Sequence, residues 1–109
     1  MPHIRFRALK EEFSQALSDT LVAPLAQAMN TTEDNFTFEH IGTRFFYRGK
    51  ETDSYPFVEV LWFARSKDIQ QKAAAIITDH VKAATKAADV VVVFQALPEA
   101  DYFENGAHF

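Results

Sequence analysis

The strongest constraint on this fold is a pattern of elements that recurs at a fixed interval. Pro2 and Pro56 each open a run with strand character. Phe36 and Val90 each open a run that closes the same kind of unit, and both intervals are 54 residues. Between the opening and closing runs of each half lies a stretch of helical periodicity. The order is therefore β-α-β, link, β-α-β, a duplication of pattern in which few residues match. Each crossover is expected to be right-handed. A pseudo-two-fold axis normal to the sheet would then place both helices on one face of a four-stranded mixed sheet, an α+β fold.

The periodicities place the elements. His3 to Arg7 alternates, with Ile4 and Phe6 facing one way and His3, Arg5 and Arg7 the other, as in a half-buried strand. From Leu9 to Met29 the apolar residues Leu9, Phe13, Leu17, Leu21, Leu25 and Ala28 follow helical spacing. Glu11 and Glu12 suit the first turn of that helix. Pro24 lies inside the pattern and should kink or split the helix near Thr20, and Asn30 is a candidate C-terminal cap. Phe36 to Ile41 reads as the second strand. Phe57 to Phe63 is the third, apolar on both faces except for Glu59, which needs a partner such as Arg5 or Arg7 if it is buried. Ser66 is a good N-cap for a helix whose stripe runs through Ile69, Ala73, Ile76, Ile77, His80 and Ala84. Val90 to Phe94 is the fourth strand. The link contains an edge-like segment, TRFFYRG, and ends in a polar, turn-like KETDS.

These boundaries give one domain over 1–109, with repeat one at 2–41, a link at 42–55, repeat two at 56–97 and an aromatic-rich tail at 98–109. With 109 residues, 48% of them apolar, the chain is long enough and apolar enough for one packed core. A net charge of −4 argues against nucleic acid as the main partner. The absence of cysteine excludes disulfides and thiolate chemistry. The charged start MPHIRFRALKEEF lacks the apolar region of a signal peptide. No apolar run is long enough to span a membrane, so the expected location is the cytoplasm. The four histidines show no ligand spacing, so neither a metal nor another cofactor is expected.

Two helices cover one sheet face and leave the other open. Strands three and four are apolar on both faces, as in strands buried on both sides. The open face is therefore expected to meet other subunits, unless the link and tail fold over it.

Met1-Pro2 directly opening a strand, followed by two β-α-β units, resembles the tautomerase superfamily. Its longer members include macrophage migration inhibitory factor and the carboxymethyl-hydroxymuconate isomerases; its short members, such as 4-oxalocrotonate tautomerase, are single β-α-β units. The segment PFVEVLWFARSKDIQQK is similar to the start of a short member: proline, strand, arginine, helix. VEVLWFAR and the tail YFENGAHF look most like an uncharacterised bacterial branch. The resemblance implies a homotrimer with sheets packed inward, removal of the initiator methionine, and Pro2 as the catalytic base in keto-enol tautomerisation of a small 2-oxo or 2-hydroxy-dienoate acid.

That chemistry needs a base near neutral pH and a cation for the substrate carboxylate. Arg65, at the strand-to-helix junction, is the expected substrate-holding residue, since a guanidinium binds a carboxylate through two parallel hydrogen bonds. It stands one residue nearer its proline than in short tautomerases. The plainer role for Arg65 is a surface cluster with Asp68. Tyr102, Phe103 and Asn105 could line a pocket near Pro2, or could serve subunit packing. Two other readings remain open. One is a trimeric binding or interaction protein of this fold without turnover. The other is a ferredoxin-like domain, which shares the element order but for which the strands lack an RNA-binding aromatic signature.

Overall fold

A computed structural model describes residues 1–108. Strand β1 (His3–Arg7) is followed by helices α1 (Glu11–Thr20) and α2 (Val22–Met29) and by strand β2 (Thr37–His40). A hairpin comes next, β3 (Phe45–Tyr47) and β4 (Lys50–Thr52). The second half repeats the plan with β5 (Phe57–Trp62), α3 (Lys67–Thr85), β6 (Val91–Ala96) and a hairpin of β7 (Phe103–Glu104) and β8 (Ala107–His108). The recurring unit is thus β-α-β plus a hairpin, longer than the β-α-β unit read from periodicity.

The main sheet has the order β2-β1-β5-β6. Strands β1 and β2 are parallel, β1 and β5 antiparallel, and β5 and β6 parallel. In the β1–β5 register Arg5 faces Glu59. These two positions are 54 residues apart, so the pseudo-two-fold axis passes between them. The two prolines do the same work in each half: the Pro2 carbonyl accepts from Thr37 N–H at 3.2 Å, and the Pro56 carbonyl accepts from Val91 N–H at 3.0 Å.

The helices cover one face. Ile4 and Phe6 of β1 and Val58, Val60 and Trp62 of β5 are buried against Leu17, Leu21, Leu25 and Met29 from α1, α2 and their junction, and against Ala73, Ile77 and Val81 from α3. The helix predicted over Leu9 to Met29 divides at Leu21, near the expected point. Pro24 sits in the third position of α2, where a missing N–H is least costly. Asn30 caps α2 in the left-handed conformation, with φ 52°. Leu9 lies before the helix, because Ala8 turns the chain with φ 62°. Ser66 Oγ accepts from Ile69 N–H at 3.3 Å, capping α3 as expected.

The opposite face of the sheet carries charges on one half and apolar groups on the other. Glu39 accepts from Arg5 Nε at 2.9 Å and lies 3.0 Å from His3 Nε2. Arg7 is the partner of Glu59. Phe57, Leu61 and Val91 are half-buried there and Val93 is exposed, so neither hairpin seals this face within one protomer.

One expectation needs correction. The stretch KETDS was expected to form a turn, but Lys50–Thr52 is strand β4. The turn falls earlier, at Arg48 and Gly49, both at positive φ (49° and 79°). The tail is ordered as a second hairpin of the same kind, with Asn105 and Gly106 at φ 54° and 79°. Two successive positive φ values are the mark of a type I′ turn, whose twist matches that of the flanking strands. Among the described residues no helix is long and apolar enough to cross a membrane.

Candidate functional site

Because β1 and β5 are antiparallel, the start of β1 lies beside the end of β5. That register brings Pro2 and the Trp62–Arg65 segment to the same end of the sheet. The Pro2 ring is fully buried and Met1 is half-buried above it. Arg65 donates from Nη1 to the Phe63 carbonyl at 2.8 Å. Its guanidinium lies over the Trp62 ring, 5.4 Å from the centroid, in cation–π geometry. Arg65 is therefore drawn back onto β5 instead of reaching for Asp68. Trp62 is itself fixed by burial and by the Phe94 ring at 4.8 Å.

The electrostatics act on the chain start. Burial pushes the Met1 amine below its ordinary proton affinity; the Arg65 guanidinium pushes in the same direction, and Glu104 pushes back. Burial also lowers the affinity of Arg65 for its proton, although a guanidinium stays charged throughout the physiological range. The chain start thus lies within the influence of one cation, Arg65, and one carboxylate, Glu104.

The tail residues divide. Tyr102 packs edge-on against Phe63, with centroids 5.1 Å apart and planes at 83°. Phe103 is 56% exposed and its ring lies against His108 at 4.4 Å. Asn105 is exposed at the tip of the hairpin. Hence the fold brings Pro2, Arg65 and Tyr102 to one end, with Phe103 and Asn105 on the projecting part of the hairpin. Glu104 joins them and carried no signal in the sequence. Only the docking of the tail places it there.

Two concavities lie elsewhere. A cleft of about 850 Å³ opens at the opposite end of the sheet, beneath the β3–β4 hairpin, with Leu9, Phe13, His40, Phe45, Asp53 and Pro56 among its lining. A smaller one of about 450 Å³ lies over α1 and β2 and contains Ser14 and His40. Ser14 Oγ is 2.7 Å from His40 Nδ1. This contact satisfies a buried hydroxyl; a nucleophilic serine would also need an acid orienting the imidazole and donors for an oxyanion. Neither concavity is lined by Pro2 or Arg65. Among the described residues, no three His, Asp or Glu side chains are grouped to hold a metal ion.

The architecture is a tautomerase-like fold. A macrophage migration inhibitory factor-like protein from Entamoeba histolytica superposes with a TM-score of 0.75 at 12% identity, covering 99% of this chain and 98% of that one. A fused 4-OT, described as an asymmetric trimer, gives 0.83 at 14% identity, covering 97% and 94%. Within that fold the chain belongs to the family described as a domain of unknown function, DUF1904, whose model matches residues 1–108. A member of this family from Sebaldella termitidis is 40% identical, with a TM-score of 0.94 and all of both chains covered. No functionally curated protein matches the chain.

Proposed function

We propose that this protein is an isomerase that moves a proton in keto-enol tautomerisation of a small 2-oxo or 2-hydroxy-dienoate acid, with Pro2 as the base. The observation that carries this reading is the β1–β5 register, which brings Pro2 and the Trp62–Arg65 segment to one end of the sheet; there burial and then Arg65 lower the proton affinity of the Met1 amine, against the opposing charge of Glu104. An α-amino group normally titrates at about 7.7–8.0, and a secondary amine higher. A site that lowers this value supplies a base close to neutral pH. With Met1 in place the Pro2 nitrogen is an amide and has no basic lone pair. Once Met1 is removed it would become a secondary amine at the same end of the sheet as Arg65.

Arg65 would hold the substrate carboxylate through a bidentate contact, setting the α-carbon beside the Pro2 nitrogen. The nitrogen would take a proton at one end of the three-atom enol system and return it at the other. Neither concavity described above includes Pro2 or Arg65. The mixed apolar and charged sheet face supports a homotrimer in which a neighbour completes the walls. A second reading, a trimeric small-molecule-binding protein without turnover, is favoured by the complete burial of the Pro2 ring.

The two readings separate in one experiment. Enol-keto conversion of phenylpyruvate is followed with protein beginning at Pro2 and with protein retaining Met1. The catalytic reading expects the Met1-retaining form to be slower by about 10²–10⁴-fold, the usual worth of a positioned base. Pro2→Ala, which keeps a primary amine, should weaken turnover without abolishing it. Arg65→Ala should mainly raise KM. Equal rates with and without Met1 would show that Pro2 is not the base.

A further inference from the structure

The tail hairpin brings a carboxylate to the chain start that the reading above does not use. Phe63 holds both sides of this arrangement. Its carbonyl accepts from Arg65 at 2.8 Å, and its ring takes the edge of Tyr102 at 5.1 Å. Arg65 and the hairpin are thus anchored to the same residue at the end of β5. Within the hairpin Phe103 faces His108 in register, and their rings meet at 4.4 Å. Alternation along a strand sends the next side chain, Glu104, to the other face of the hairpin. Among the described residues, the charged groups that act on the chain-start amine are Arg65, from the β5–α3 connection, and Glu104, from the hairpin.

Building on the assignment of Pro2 as base, we propose that Glu104 is a specificity-determining residue of this site: set against Arg65 at the chain start, it selects a monocarboxylate with a neutral or hydrogen-bond-donating far end and rejects a dicarboxylate. A substrate carboxylate is drawn to the guanidinium and kept away from Glu104. The rest of the substrate then extends past the base toward the hairpin. A second carboxylate on that part meets a like charge, whereas a hydroxyl, amide or aryl group does not. Discrimination of this kind comes from a repulsive element added to an attractive one. Glu104 is exposed, so solvent and salt reduce the effect to about tenfold.

The test uses protein beginning at Pro2, with the Pro2 nitrogen isotopically labelled and followed by NMR. Its titration midpoint and its shift on adding phenylpyruvate (one carboxylate) or oxaloacetate (two) are measured for the natural sequence and for Glu104→Gln. Neither readout requires turnover. Glu104→Gln should lower the amine's titration midpoint, because an anion that favours the ammonium form has gone; Arg65→Gln should raise it. Glu104→Gln should also tighten oxaloacetate about tenfold relative to phenylpyruvate, leaving phenylpyruvate within about threefold. An unmoved midpoint together with an unchanged ratio of affinities would overturn the role of Glu104, as would failure of phenylpyruvate to bind the natural sequence. If both shifts occur in a protein that does not convert phenylpyruvate, the base assignment fails and the selectivity of Glu104 stands.

Discussion

Trp62 carries two loads, and replacing it with alanine should expose both. Its side chain is 1% exposed, near the end of β5 on the helix-covered face. Truncation to a methyl group would remove roughly 150–200 Å² of buried, mostly apolar surface, the greater part of what an indole covers. At about 25 cal/mol per Å² this is about 4–5 kcal/mol, within the usual range of about 3–5 kcal/mol for a buried aromatic replaced by alanine. The neighbouring Phe94 ring, 4.8 Å away, would face a void. With a urea slope of about 1.5 kcal/mol per M, the unfolding midpoint should fall by roughly 3 M. The chain has one tryptophan, so far-UV circular dichroism must replace intrinsic fluorescence as the probe. Both proteins are compared at one concentration, because self-association would add to apparent stability. Trp62→Phe, which keeps a ring beneath Arg65, should lose much less. A loss below about 1 kcal/mol for Trp62→Ala would refute the placement of this side chain in the core.

Ser66→Ala removes the oxygen that caps α3 and should cost about 1 kcal/mol, read as a shifted urea midpoint with unchanged slope. Glu39 tests the open sheet face. Its carboxyl is held below the ordinary range first by the hydrogen bond from His3 and then by Arg5. A carboxyl with a lowered folded-state value stabilises the protein above its unfolded value of about 4.3, and that contribution disappears as pH falls through the folded value. Glu39→Gln should therefore be less stable than the natural sequence at pH 6, and the difference should narrow as the pH is lowered to 3. Urea midpoints at the two pH values measure it, and a constant difference would rule out this linkage.

Much of the fold could be read because local signals agreed with one another. Alternation in His3 to Arg7, the serine before α3 and the interval between Pro2 and Pro56 all reflect short-range rules of backbone and burial. The helix split at Leu21 follows from the ring of Pro24. The β3–β4 hairpin was obscured because its turn rests on Arg48 at positive φ, a position usually given to Asn, Asp or Gly. The polar residues after it looked more turn-like than the turn itself. The tail held a clearer signal, Asn105-Gly106, which the density of aromatic residues around it masked. At the candidate site, the position of Arg65 at the end of β5 could be read from the strand pattern and from the resemblance to short tautomerases. Glu104 was not, because its place depends on Tyr102 meeting Phe63 across a long separation in sequence.

The dyad between Arg5 and Glu59 makes the two ends of the sheet geometric counterparts without making them chemical ones. Pro56 opens β5 as Pro2 opens β1, and it lines the largest cleft described above. Its nitrogen, however, is bonded to the preceding carbonyl in the interior of the chain. No processing of the N-terminus can free it, so amide resonance denies it a basic lone pair under every condition in which the chain is intact. Joining two units into one polypeptide therefore breaks their equivalence at the level of a single covalent bond. In an assembly of three such chains, six proline-headed strands would present at most three amines. On the proposed mechanism the surroundings of the other three prolines would be released from the demands of proton transfer and free to take up different residues; Lys10 and Glu11 stand where the second half has Arg65.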